Sequence, residues 1–143
     1  MRLDLYDNIT WKKFIEYAFR KSDYFSLKNY CWSEDRNLNY EYHILNDRLE
    51  KYIHSDNSLP KGIWGEYKVS YYECSFHTMS IIREIPNITK MIFPEFAEDI
   101  CFYIDDKMWF ESITHDEYWK ITDTHIQNDI SCFFAEIEGS KIN

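Results

Sequence analysis

Glu98-Asp99-Ile100-Cys101-Phe102-Tyr103-Ile104-Asp105-Asp106-Lys107-Met108-Trp109-Phe110-Glu111-Ser112-Ile113-Thr114-His115-Asp116-Glu117-Tyr118-Trp119 decides the fold. Two apolar, aromatic runs, 100–104 and 108–113, flank a short charged break. Runs of that length bounded by turn residues read as paired strands. Asp105-Asp106-Lys107 supplies the turn, although the Asp-Gly of the strongest hairpin signal is missing. Thr114 and Glu117 have the spacing of a capping box, which predicts a helical turn carrying Tyr118, Trp119 and Ile121.

Upstream, Thr10 is placed to cap a helix over 11–21. Trp11, Phe14, Ile15, Ala18 and Phe19 share one face, while Lys12, Lys13, Glu16 and Arg20 face away. Ser22-Asp23 breaks it, and 24–32 alternates as a strand. Phe25 and Leu27 take one side; Tyr24, Ser26, Lys28 and Tyr30 take the other. After a polar turn at 33–37, Leu38, Tyr42, Leu45, Leu49 and Tyr52 recur at steps of four and three. That spacing predicts an amphipathic helix over 38–54. A loop over 54–62 follows, with Trp64 as a plug at the core edge. Residues 67–76 read as a strand with mixed faces, suited to double cover or an interface. A short helix over 79–85 stops before Pro86. Residues 86–97 form a connection anchored by Met91-Ile92-Phe93. At 126–137 the apolar spacing fits a helix, and Ile130, Cys132 and Phe134 equally fit a strand; we favour the helix. The order predicts one α+β domain over 1–143, a mostly antiparallel sheet of about four strands with three to four helices packed on it.

A chain of 143 residues buries about two thirds of its unfolded surface and needs no disulfide or metal to hold it. Hydrophobic residues make up 45% and charged residues 29%, which excludes a disordered chain. The aromatic share is unusual: 12 Tyr, 10 Phe and 5 Trp make 19%. Most are expected in the core and its rim, but one core of this size is not expected to hide them all, and Tyr and Trp suit half-wet contact surfaces. Against 25 Asp and Glu stand 16 Lys and Arg, a formal net charge of −9. That balance opposes nucleic acid and anionic membrane surfaces and suits a basic protein partner. No apolar run reaches the length of a membrane span, and the N-terminal residues hold no signal core, so the expected setting is the cytoplasm. Cys31, Cys74, Cys101 and Cys132 form no C-x-x-C pair or zinc spacing and are expected reduced and mostly buried.

Catalytic signals are weak. The sequence holds no Walker, H-E-x-x-H or G-x-S-x-G pattern. Cys74 and His77 could serve as nucleophile and base only if the strand ends between them, since residues three apart on a strand face opposite ways. His43 and His54 are eleven residues apart, about 16 Å along a helix and too far for one ion. A capping turn explains Asp116 and Glu117 beside His115 more simply than a metal does. Glu98-Asp99 and Asp105-Asp106 sit at opposite ends of a strand about 17–20 Å long. They read as solvated strand ends rather than an acid–base pair.

Pro94-Glu95-Phe96-Ala97-Glu98-Asp99-Ile100-Cys101-Phe102-Tyr103, followed by Met108-Trp109-Phe110-Glu111-Ser112-Ile113-Thr114-His115-Asp116-Glu117, resembles a recurrent segment of small Gram-positive bacterial proteins. Some of these carry the label "stage III sporulation protein AH". Ser22-Asp23-Tyr24-Phe25-Ser26-Leu27 is similar to their first strand. The resemblance implies a sporulation-associated role and brings no residue roles. From the residues themselves we expect a non-catalytic protein-binding module, immunity- or antitoxin-like, that masks a basic protein without a cofactor. Tyr71, Trp64, Trp32, Asp105 and Asp106 are the candidate interaction surface. The alternative is a small-ligand binder or enzyme with a pocket between the 98–113 hairpin and the helices, using Cys74, His77 or His115.

Overall fold

The computed structural model describes residues 3–30, 43–58, 67–92 and 96–142. Trp32, Trp64, Phe93 and the first part of the 38–54 helix lie outside them. The described elements, in chain order, are α1 (Asn8–Lys21), β1 (Tyr24–Tyr30), α2 (His43–Glu50), β2 (Ile53–Ser58), β3 (Tyr67–Glu73), α3 (Phe76–Ile82), β4 (Glu98–Ile104), β5 (Lys107–Ile113), β6 (Tyr118–Ile121) and α4 (Thr124–Ile142). All strand pairs are antiparallel, in one six-stranded sheet of order β2-β3-β1-β4-β5-β6. The α+β class is as expected. Strands β2 and β6 take the sheet from about four strands to six.

Both additions are edge strands, and both correct the sequence reading. Residues 53 and 54 do not continue α2, and 55–58 is not loop; Ile53–Ser58 pairs with β3. Its polar residues hide the strand, because an edge needs backbone pairing more than an apolar face. The helical turn at Thr114 does not carry Tyr118, Trp119 and Ile121, which form β6 instead. The Thr114 N–H donates to Asp99 Oδ1 at 2.8 Å, and a single short turn, Thr114–Asp116, ends at Glu117 with φ 51°. That left-handed residue turns the chain back to pair Tyr118–Ile121 with β5.

Helix boundaries follow hydrogen-bonding chemistry. Asp7, rather than Thr10, caps α1: its carboxylate accepts from Thr10 N at 2.9 Å and from Thr10 Oγ1 at 2.8 Å. A carboxylate also meets the positive end of the helix dipole, which a hydroxyl does not. Ser75 and Thr78 form a reciprocal capping box, so β3 stops at Glu73 and α3 begins at Phe76 rather than at 79. In the ambiguous C-terminal segment the helix prevails, as α4, with Asp123 Oδ1 accepting from Ile126 N at 3.0 Å.

The core lies between the helices and one face of the sheet. From α1, Phe14 meets Phe102, Trp109 and Phe110, and Phe19 meets Phe25 and Phe102. Pairing between β4 and β5 shifts register beside Phe102, so neighbours Trp109 and Phe110 are both buried. Such a bulge puts two successive side chains on one face. Leu45 and Leu49 of α2, Ile81 and Ile82 of α3 and Ile130 of α4 join the same cluster.

Candidate functional site

The other sheet face carries the side chains that alternate out of phase with this core. Register places Glu73, Tyr24, Tyr103 and Met108 in one cross-strand row, and Ser55, Tyr71, Ser26 and Cys101 in the next. Side chains opposite one another on one face stand about 4.5–5.5 Å apart at Cβ, close enough for rings to meet. Tyr24 and Tyr103 stack at a centroid distance of 4.7 Å. Tyr71 lies 5.9 Å from each of them. All three are half-buried.

This cluster forms the wall of a groove of about 450 Å³ lined by Tyr24, His54, Ser55, Tyr71, Tyr103 and Asp106. Asp106 reaches it from the β4–β5 turn. Asp105 and Asp106 both have positive φ, 50° and 62°, as a two-residue type I′ hairpin requires. Asp tolerates this region better than most residues, and the turn is tied down from β1. The Asp105 N–H donates to Asp23 Oδ2 at 2.8 Å, and the Tyr24 hydroxyl donates to Asp106 Oδ1 at 3.0 Å. Ser26 Oγ and the Tyr103 hydroxyl lie 3.0 Å apart. Burial, then the Asp106 hydrogen bond and charge, push the Tyr24 phenol up to about 12. Burial is also the main cause that lifts Tyr103 to about 12. Both rings therefore stay neutral at physiological pH. Asp23, Glu73, Asp105 and Asp106 make this end of the sheet acidic. Lys107 pairs with Ile104, so it alternates to the helix-bearing side.

Of the residues expected at the contact surface, Tyr71 and Asp106 meet in this groove, and Asp105 stands exposed beside it. Trp32 and Trp64 lie outside the described residues. Tyr24, Tyr103, His54 and Ser55 were not among the expected residues. Tyr24 and Tyr103 lie on the polar phase of their strands, which is a visible signal. The register that stacks them is not written in either strand alone.

The strand ends at Glu73, before Cys74, and α3 carries His77, but the groove takes in neither residue. Cys74 is half-buried, and burial lifts its thiol to about 12. The ring of His77 stacks on Tyr52. Cys74, His77 and His115 do not line the groove, which opens on the face away from the helices. His54 stands on β2 rather than on a helix with His43.

Glu98 corrects the picture of a solvated strand end: it is 0% exposed, and one carboxylate oxygen lies 2.9 Å from His115 Nε2. Its neighbour Asp99 adopts φ 57° at the β1–β4 irregularity and accepts from Thr114 N. This knot joins the start of β4 to the end of β5. A smaller groove of about 190 Å³ between α1 and α4 is lined by Tyr17, Arg20, Lys21, Asp129, Cys132 and Phe133. Its charges are used internally, with Lys21 3.5 Å from Asp129.

Among the described residues, no group of three or more His, Cys, Asp and Glu is placed to hold a metal ion, and no helix is long and apolar enough to cross a membrane. Comparison of the chain with protein-family models, with curated proteins and with solved structures finds no match.

Proposed function

We propose that the chain is a non-catalytic protein-binding module that uses its tyrosine-rich sheet face to engage a basic protein in the cytoplasm, as an immunity or antitoxin-like partner does. The observation that carries this reading is the meeting of Tyr24, Tyr71, Tyr103 and Asp106 in one groove. Tyrosine is enriched at contact surfaces because a rigid ring contributes area at little entropy cost and its hydroxyl tolerates water. The net charge of −9 supports a basic partner, since complementary charge speeds encounter and suppresses wrong partners.

Affinity capture from the cell of origin tests the reading, with Asp106→Lys as the paired control. One basic protein should be retained by the natural chain and lost from the variant. Capture of nothing, or equal capture by both, would overturn it. A sporulation-associated role rests on the likeness of 94–103 and 108–117 alone, and an unchanged spore yield in a deletion strain would remove it.

A further inference from the structure

We infer that the groove between Tyr71, Tyr103 and Asp106 is a receptor for a guanidinium group, so that the partner docks through an arginine side chain. The inference rests on the protein-binding reading and names the chemistry at its centre. Phenol rings present a negative face, which attracts a cation held within about 6 Å of the ring centroid. The rings of Tyr24 and Tyr103 are stacked on each other and Tyr71 is tilted against them, so the cluster is a wall and not a closed box. A wall suits a flat cation that lies on one ring, more than a spherical ammonium that needs enclosure.

Asp106 supplies the second element. One of its carboxylate oxygens accepts the Tyr24 hydroxyl, and the other has no hydrogen-bond partner among the described residues. A guanidinium stacked on a ring can aim its edge N–H groups at that oxygen, which a carboxylate accepts strongly. The Tyr24 hydroxyl bond holds the carboxylate still while it does so. His54 and Ser55 form the opposite rim on β2 and are exposed. The local field favours a cation: Asp23 and Glu73 stand at the same end of the sheet, where Tyr24 pairs with Glu73 and the Cys74 N–H donates to Asp23 O at 3.1 Å.

The test is a titration of the isotopically labelled full chain, followed by amide and tyrosine-ring NMR, with three probes. These are N-acetyl-arginine amide, N-acetyl-lysine amide and N-acetyl-citrulline amide; citrulline keeps the shape of arginine and lacks its charge. Arginine should give saturable shifts confined to Tyr24, Tyr71, Tyr103, His54 and Asp106, at about millimolar concentration for a single side chain. Lysine should bind at least about threefold more weakly and citrulline should give no saturable shift. Asp106→Asn keeps an oxygen for the Tyr24 hydroxyl and tolerates the left-handed backbone, so it removes charge alone and should weaken arginine at least about fivefold. Asp116→Asn, on the distant Thr114–Asp116 turn, should leave binding unchanged. Citrulline equal to arginine, or Asp106→Asn without effect, would sink the inference. Partner capture that persists without arginine binding would remove the guanidinium and leave the protein-binding reading standing. Arginine binding without any captured protein would do the reverse.

Discussion

The indole N–H of Trp109 donates to the hydroxyl of Ser22 at 2.8 Å, in the core and across 87 residues of chain. Ser22 is the residue that ends α1, where its N–H donates to Ala18 O. The same residue thus closes the helix with its backbone N–H and satisfies the largest ring of the β4–β5 bulge with its hydroxyl. Trp109 is 2% exposed, so no water stands in for a lost acceptor. Ser22→Ala is expected to cost about 1–3 kcal/mol, the range for a buried donor left unpaired. Trp109→Phe in the same background removes the donor, so the double variant should lose less than the sum of the two single ones. Urea unfolding of the four proteins checks this, and strict additivity would show that the bond contributes nothing.

Glu98 and His115 form the second long-range tie, between the start of β4 and the turn after β5. Glu98 is wholly buried, while His115 is 39% exposed at its side chain. Removing the exposed partner is the damaging change, because it leaves the carboxylate in the interior with less to hold it. His115→Ala is expected to destabilise by about 1–3 kcal/mol, below the range for fully buried pairs because water reaches the imidazole side. Glu98→Gln added to His115→Ala should recover part of that loss. Chemical denaturation of both variants decides it: a double variant less stable than His115→Ala would mean that Glu98 is held by something other than charge pairing.

The elements that a sequence reader finds here are those where one face carries the whole signal. Trp11, Phe14, Ile15 and Phe19 announce α1 because every one of them is buried. The 100–104 and 108–113 runs announce the hairpin because the core side of both is apolar. Edge strands β2 and β6 are hidden because backbone pairing alone makes them strands: Ile53–Ser58 is mostly polar, and β6 has only four residues. Thr114 through Glu117 has capping-box spacing, yet Asp99, a residue of the neighbouring strand, takes the Thr114 N–H. The groove was half legible. Tyr71 and Asp106 stand out by type, but only the β1–β4 register stacks Tyr24 on Tyr103. Register is set by bulges such as the one at Ser26 and Lys28, and no residue type announces those.

Asp99 offers a stabilising change. Burial raises its carboxyl above the ordinary 3.8, although the Thr114 hydrogen bonds and the Lys28 and His115 charges work the other way. A raised folded value means that the unfolded chain releases the proton first. Stability is therefore fully present below the unfolded value and falls as pH climbs through the folded one. At neutral pH the buried charge is a net burden. Asn keeps an oxygen for the Thr114 N–H and is comfortable at φ 57°. Asp99→Asn should melt higher than the parent at pH 7, with the gap narrowing as pH falls towards about 4 and changing no further below it. A gap that widens in acid would reverse the assignment.

Tyr24 and Tyr103 set the alkaline limit of the same sheet. Both phenols are lifted from 10.0 to about 12, first by burial, and for Tyr24 next by the hydrogen bond and charge of Asp106. In the unfolded chain each loses its proton near 10, so between about pH 10 and 12 the folded state binds more protons than the unfolded one. The contribution of these rings is present below 10 and is lost as pH rises toward 12. Asp106→Asn removes the charge that opposes the tyrosinate and keeps an acceptor for the hydroxyl. Tyr24 should then ionise at lower pH, while Tyr103, whose raising charges are Cys101, Tyr71 and Tyr24, should move little. Tyrosinate absorbance against pH, with Tyr24→Phe to assign the step, separates the two rings. A Tyr24 step that stays in place in Asp106→Asn would mean that burial alone holds the phenol neutral, and that the carboxylate at the mouth of the groove exerts no field on its wall.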